Sequence, residues 1–313
     1  MLGRTADSLF WMSRYMERAE NIARLVEAGH RLALLTGSDA DAGDWRSTLA
    51  SAACLDGYLA RHETVAAGTA IDYLLFDPAN PVSVRVCLES ARDNGRSVRT
   101  ALTRDMWEAL NTTWNEFAAA PVAEVREGRL PEFLDWIRQR AMLFRGALLG
   151  TILRNDGYHF SQLGAFVERA DQTARILDVK HYALLPEWVP AVGDVDTYTW
   201  EAILRAVSAH RSYRHVYEGP YRPGNVAEFL IVREEMPRSL RYSYRWIAAS
   251  LERLALDYGT AAPVQAEARA TLALLEQTGM AGIFSRGLHA FLLDFIARNN
   301  ALAARIAEDY HFA

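Results

Sequence analysis

Two stretches of this chain set carboxylates and arginines at the same spacing. Residues 16–30 read MERAENIARLVEAGH and residues 167–181 read VERADQTARILDVKH. At a constant offset of 151, Glu17 matches Glu168, Arg18 matches Arg169, Ala23 matches Ala174, Arg24 matches Arg175 and His30 matches His181. Glu20 becomes Asp171 and Glu27 becomes Asp178, so length changes and chemistry does not. Such groups suit acid–base work by a carboxylate, a bidentate grip on an anion by an arginine, or ion pairing between helices. The duplication is informative because an apolar core asks only for apolar residues. A repeated polar constellation implies that the same side-chain interactions are used twice.

At the helical 100° per residue, Ser13, Glu17, Glu20, Arg24 and Glu27 share one sector of about 80°. The second copy puts Gly164, Glu168, Asp171, Arg175 and Asp178 in that sector. Arg18 and Arg169 lie roughly 100° further round. Three readings of the stripe stand open. It is a solvated face in which Glu20–Arg24 and Asp171–Arg175 add a few tenths of a kcal/mol each. It is a set of buried ion pairs between helices, each costly to break. Or it is a site, with Glu17 and Glu168 as acid and base and the arginines as substrate clamps.

If the stripes face each other, Glu17, Glu20, Glu168 and Asp171 converge with Arg24 and Arg175. A carboxylate-bridged metal pair needs Glu-x-x-His, whereas the spacing here is Glu-x-x-Glu and Glu-x-x-Asp, and the arginines repel a cation. No metal is expected. Arginine with carboxylate would instead suit an amino acid or peptide. Three further candidates are weaker. His159 lies one to two turns before the second motif, in a Tyr158-His159-Phe160 run repeated as Tyr310-His311-Phe312. Packing explains it as readily as catalysis. Arg85 and Arg241 sit at matched helix starts, where they meet an anion or a salt-bridge partner.

No P-loop, GxGxxG after a strand, GxSxG, HExxH or CxxC pair is present, so no cofactor is called for. The net charge of −5 and the lack of a Lys/Arg-rich run argue against nucleic acid as a partner. No run of about 18 apolar residues argues for a membrane span. The N-terminus carries charge too early for a signal peptide, and Cys54 and Cys87 are too sparse for a disulfide framework. A cytoplasmic location is the expectation.

The elements that position the stripe repeat as well. Trp45, Leu49 and Tyr58 match Trp200, Leu204 and Tyr213 at offset 155. Pro81, Ser83 and Arg85 match Pro237, Ser239 and Arg241 at offset 156. The reading is an all-α helical bundle built from two homologous halves, 1–153 and 154–313, related by pseudo-twofold symmetry. About 4–5 helices are expected in each half, and the whole is expected to be one domain. If residues 130–153 and 160–183 are both helical, a very short turn joins them. Pro81 and Pro237 are placed in first helical turns, with Ser83 and Ser239 just inside. Residues 37–44, 185–199 and 219–225 read as loops, and YLLF (73–76) and FLIV (229–232) as extended linkers or buried turns. Trp114, Trp136, Trp200 and Trp246 read as core.

The opening LGRTADSLFWMSRYMERAENIARLVE and the later GAFVERADQTARILDVKHY together resemble the alpha-E domain family, a bacterial all-helical family named for its Glu-Arg motif. The resemblance covers essentially the whole chain. It makes Glu17–Arg18 and Glu168–Arg169 the signature residues. Members are typically encoded beside a circularly permuted ATP-grasp protein and a transglutaminase-like protein. The resemblance thus implies an amide-bond or peptide-forming or -modifying system, with this chain as helical partner or substrate-binding subunit of the ligase. A stand-alone enzyme and a pure scaffold are the alternatives. In the second copy, Gly164-Ala165-Phe166 stands where the first has Ser13-Arg14-Tyr15, so any role of Arg14 is confined to one copy.

Overall fold

A computed structural model describes residues 1–36, 42–183 and 194–312, omitting side chains at 35–36, 42–44, 179–183 and 194–199. Every regular element among the described residues is helical. Five longer helices occupy the first half: α1 (Gly3–Thr36), α2 (Ala42–Ser51), α3 (Val84–Ser97), α4 (Arg104–Ala118) and α5 (Leu130–Thr151). The second half holds α6 (Asp156–Ala183), α7 (Asp194–Ala206), α8 (Leu240–Tyr258), α9 (Pro263–Gln277) and α10 (Leu288–Asp309). Short helices lie between them, among them Leu55–Leu59 and Ala67–Leu75 in one half and His210–Val216 and Pro223–Ile231 in the other. The turn joining α5 to α6 is residues 152–155, as short as expected.

The packing order is reciprocal. Helix α1 lies against α3, α5 and α7, and α6 lies against α8, α10 and α2. The two longest helices, α1 and α6, pack on each other at the centre. Small residues make that approach possible: Ala19, Ala23, Ala170 and Ala174 are all fully buried. At Gly164 the fit is closest, for a Cβ there would lie 2.0 Å from the carbonyl oxygen of Phe10. One apolar cluster runs from Ala6 at one end of the chain to Ile306 at the other. Its matched members include Trp45 and Trp200, Leu49 and Leu204, and Tyr58 and Tyr213.

Matched caps start α3 and α8. Ser83 Oγ accepts from the Val86 amide at 3.2 Å, and Ser239 Oγ accepts from the Tyr242 amide at 3.0 Å. Ser83 and Ser239 are therefore N-caps, and Pro81 and Pro237 lie in the turns before the helices rather than within them. The side-chain oxygen of a capping serine satisfies an orphan amide, which is why the helix starts there. Matched left-handed residues, Ala53 (φ 56°) and Ser208 (φ 55°), close the turns after α2 and α7.

Other expectations are corrected. YLLF and FLIV are not linkers: they form the buried ends of helices Ala67–Leu75 and Pro223–Ile231, because an apolar run needs a core face more than an extended path. Residues 223–225 belong to the latter helix, started by Pro223 in its first turn. The loops at 37–44 and 185–199 fall outside the described residues, except that 42–44 and 194–199 are helical. The side chain of His181 also lies outside the described residues.

Candidate functional site

The stripe is buried from Ser13 to Arg24 and from Gly164 to Asp171, while Glu27 and Arg175 are half-buried. Glu17, Glu20 and Glu168 are almost wholly enclosed, as are Arg14, Arg24, Arg169 and Asp171. With α1 and α6 side by side, each signature arginine reaches the signature glutamate of the other helix. Arg169 donates from Nε and Nη2 to the two oxygens of Glu17, both at 2.9 Å. Arg18 does the same to Glu168, from Nε at 2.6 Å and Nη2 at 2.7 Å. These are bidentate, charge-assisted pairs, the geometry for which guanidinium is suited. An aromatic ring three residues earlier flattens against each arginine: Tyr15 5.8 Å below Arg18, and Phe166 4.8 Å below Arg169.

Beyond this exchange the two ends differ. At Glu168 the additional partner is Arg14, whose Nε donates at 3.1 Å while its guanidinium stacks on Trp11. At Glu17 the additional partners come from elsewhere. Arg145 on α5 donates from Nη2 to Oε2 at 2.9 Å, and Arg238, just before α8, donates from Nη1 to Oε1 at 3.2 Å. Both arginines also bind Glu20, Arg238 at 2.9 Å through Nη2 and Arg145 through Nη2. Arg24 closes the set on Glu20, with Nη2 at 2.6 Å. Asn21 Oδ1 accepts from Arg238 at 2.9 Å. Asp171 keeps its own partner, Arg175 at 2.7 Å. The four carboxylates are thus divided among three groups rather than gathered in one basin.

Electrostatics follows from the pairing. Burial pushes the Glu17 carboxyl up, but Arg169, Arg145 and Arg238 overcome it and hold the pKa well below the usual carboxylate range. Burial likewise opposes ionisation of Glu168, yet Arg18 and Arg14 bring it down to about 2. Burial is also the largest influence on Glu20, and Arg238, Arg145 and Arg24 outweigh it. Only Asp171 goes the other way: burial raises it despite Arg175. A carboxylate held ionised with its lone pairs filled by N–H groups is a weak base and has no proton to give. Glu17 and Glu168 therefore have the chemistry of structural anions.

Sequence-based candidates separate accordingly. Arg14, Arg18, Arg24, Arg169 and Arg175 join ion pairs with the motif carboxylates. His159 does not: its charged neighbours are Asp257, Arg253, Arg154 and Asp156, and burial lowers its pKa. Arg241 pairs with Glu234 at 3.1 Å, away from the motif carboxylates. Arg85 has a buried Nε without a hydrogen-bond partner and joins no ion pair among the described residues. Arg145 and Arg238 were missed because neither is duplicated; the counterpart of Arg238 at offset 156 is Val82. Among the described residues no group of three or more His, Cys, Asp or Glu is placed to hold a metal ion. Cys54 and Cys87 are buried free thiols, each raised to about 12 by burial.

An all-helical chain locked by reciprocal Glu-Arg pairs is a definite class. The family model described as a predicted alpha-helical domain with a conserved ER motif matches residues 1–311, and the chain belongs to this alpha-E family. Relatives include uncharacterised proteins of Mycobacterium bovis and Mycobacterium tuberculosis, each 24% identical over 329 residues. The match takes in 97% of this chain and 36% of theirs, so the chain spans about a third of the length of these relatives. No solved structure matches. No single helix among the described residues is long and apolar enough to cross a membrane.

Proposed function

We propose that this chain is the non-catalytic helical component of an amide-bond or peptide-forming or -modifying system. It acts as partner or substrate-holding subunit of an ATP-grasp ligase, with a transglutaminase-like protein in the same system. The observation that carries the non-catalytic part is the saturation of the two glutamates by arginines: Glu17 by Arg169, Arg145 and Arg238 from three separate segments, and Glu168 by Arg18 and Arg14 of α1. A stand-alone enzyme using these carboxylates would need at least one to exchange a proton near neutral pH. The ligase partnership is supported by the family resemblance. Two halves about a pseudo-twofold axis, forming one domain in the cytoplasm, belong to the same reading. Reciprocal packing of α1 on α7 and α6 on α2 supports the two-fold relation.

Reconstitution tests it. A circularly permuted ATP-grasp ligase from the same source, should its genome carry one, is assayed for ATP-dependent amide formation alone and with the purified protein. A rate or product length that rises with this protein is the expected result. Equal rates with and without it would remove the partnership.

A further inference from the structure

A cavity of about 160 Å³ opens between α1, α5, α6 and α8, directly beside Glu17. Its volume is close to that of a cavity that holds one benzene-sized molecule, enough for a branched side chain and a carboxylate with any N-acyl group left at the mouth. Most of its wall is apolar, from Met16, Phe144, Leu148 and Phe166. Its exposed members, Leu149 and Trp246, mark the mouth. Trp246 therefore lies at an opening, not in the core, stacked on Phe166 at 5.8 Å.

Three features at the inner end point to a ligand. Ser13 lines the cavity, is 3% exposed, and its Oγ has no hydrogen-bond partner. Buried hydroxyls are nearly always satisfied, so an orphan facing a cavity calls for an occupant. Arg145 spends only Nη2 on Glu17 and Glu20, leaving Nε and Nη1 without partners among the described residues. The third is an asymmetry. Ala165, which lines the cavity, is the counterpart of Arg14 at offset 151. At the Glu168 end Arg14 occupies its place and binds the glutamate. At the Glu17 end the alanine leaves that space empty, and the charge comes from Arg145 and Arg238 on other elements.

We infer that this cavity binds a compact apolar carboxylate whose amine is blocked or lies outside the mouth. The carboxylate would accept from Arg145 and from the Ser13 hydroxyl, and the side chain would sit against Phe144 and Leu148. An ammonium group has nowhere to go: Glu17 already accepts from Arg169, Arg145 and Arg238, so a free zwitterion is disfavoured. Both an N-acylated amino acid and the C-terminal residue of a peptide present this chemistry. The inference deepens the substrate-holding part of the reading above and rests on it only for the biological source of the ligand.

The test is calorimetric titration of the full chain, with no ligase present, so its failure is separate from failure of the partnership. N-acetyl-L-leucine is expected to bind, with N-acetyl-L-leucinamide at least about tenfold weaker for loss of the charge-assisted bond to Arg145, and free L-leucine likewise because its buried ammonium would lack an acceptor. Gly-Gly-Leu binding as tightly as N-acetyl-L-leucine assigns a peptide terminus; binding of the small acid alone assigns a free metabolite. Ala165→Arg, which puts into the cavity the residue found in the other copy, is expected to abolish binding, and Ser13→Ala to weaken it several-fold. Three results overturn the inference. The first is no binding of N-acetyl-L-leucine to the wild type. The second is equal affinity for the amide, acetate or inorganic phosphate. The third is undiminished binding by folded Ala165→Arg, or by Ser13→Ala should the former not fold.

Discussion

Glu17 takes both Nε and Nη2 of Arg169 at 2.9 Å, from a residue 152 positions away on the neighbouring helix. Arg18 returns the same grip on Glu168. Adjacent motif residues on one helix thus face opposite duties, the glutamate accepting from the partner helix and the arginine donating to it. One dipeptide, used twice, ties α1 to α6 at two points and fixes both the rotation and the axial register of the pair. Burial decides what that is worth. Exposed, these pairs would contribute well under 1 kcal/mol each. Enclosed, they are strongly destabilising to break, because the survivor is a desolvated charge.

Register depends first on how closely the helices approach. Gly164→Ala would drive a methyl into the Phe10 carbonyl, where backbone must move. A loss of about 1–3 kcal/mol or more is expected in urea unfolding, as for an overpacked core. Gly146→Ala on α5, where a Cβ meets nothing within 4 Å, is the control. It should be neutral or stabilising by up to about 1 kcal/mol, since alanine is the better helix former.

Acid sensitivity carries the sign of the Glu168 shift. Its folded pKa is about 2 against an ordinary 4.5. A depressed carboxylate contributes stability that is complete above pH 4.5 and is lost as pH falls toward 2. Glu17 acts in the same direction, while raised Asp171 opposes it. Stability measured from pH 5 to 2 should therefore fall steeply in the wild type. In Glu168→Gln the slope should be shallower by up to about 1.4 kcal/mol per pH unit, one proton's worth.

The sequence shows the fold class, the motif helices and the α5–α6 turn because each is written in local periodicity and in the repeat. It shows that Glu17, Glu20 and Arg24 share a face, but a helical wheel does not say what covers that face. Burial came from Ala19, Ala23 and Gly164, whose smallness means something only once a partner helix lies against them. Arg145 and Arg238 were invisible to a search for duplicated residues, since each serves only the Glu17 end. Trp246 looked like core because size and apolarity do not distinguish a buried ring from one at the mouth of a cavity.

If the lock is structural, its charges are replaceable as a set. Glu168→Leu with Arg14→Met and Arg18→Met removes one end without leaving a lone charge. Such exchanges of buried ion groups are often neutral or stabilising by about 1–4 kcal/mol. Thermal unfolding should place the triple variant at or above the wild type and well above Glu168→Leu alone. Stimulation of the ligase should survive in it; its loss from a folded triple variant would put Glu168 in direct service of function.

The most direct measurement is a urea-unfolding double-mutant cycle on Glu17→Gln and Arg169→Gln. A buried bidentate lock predicts single losses of about 3–5 kcal/mol and a coupling energy of about 2 kcal/mol or more. Single losses under about 0.5 kcal/mol with no coupling would mean a solvated charged face and would contradict the lock.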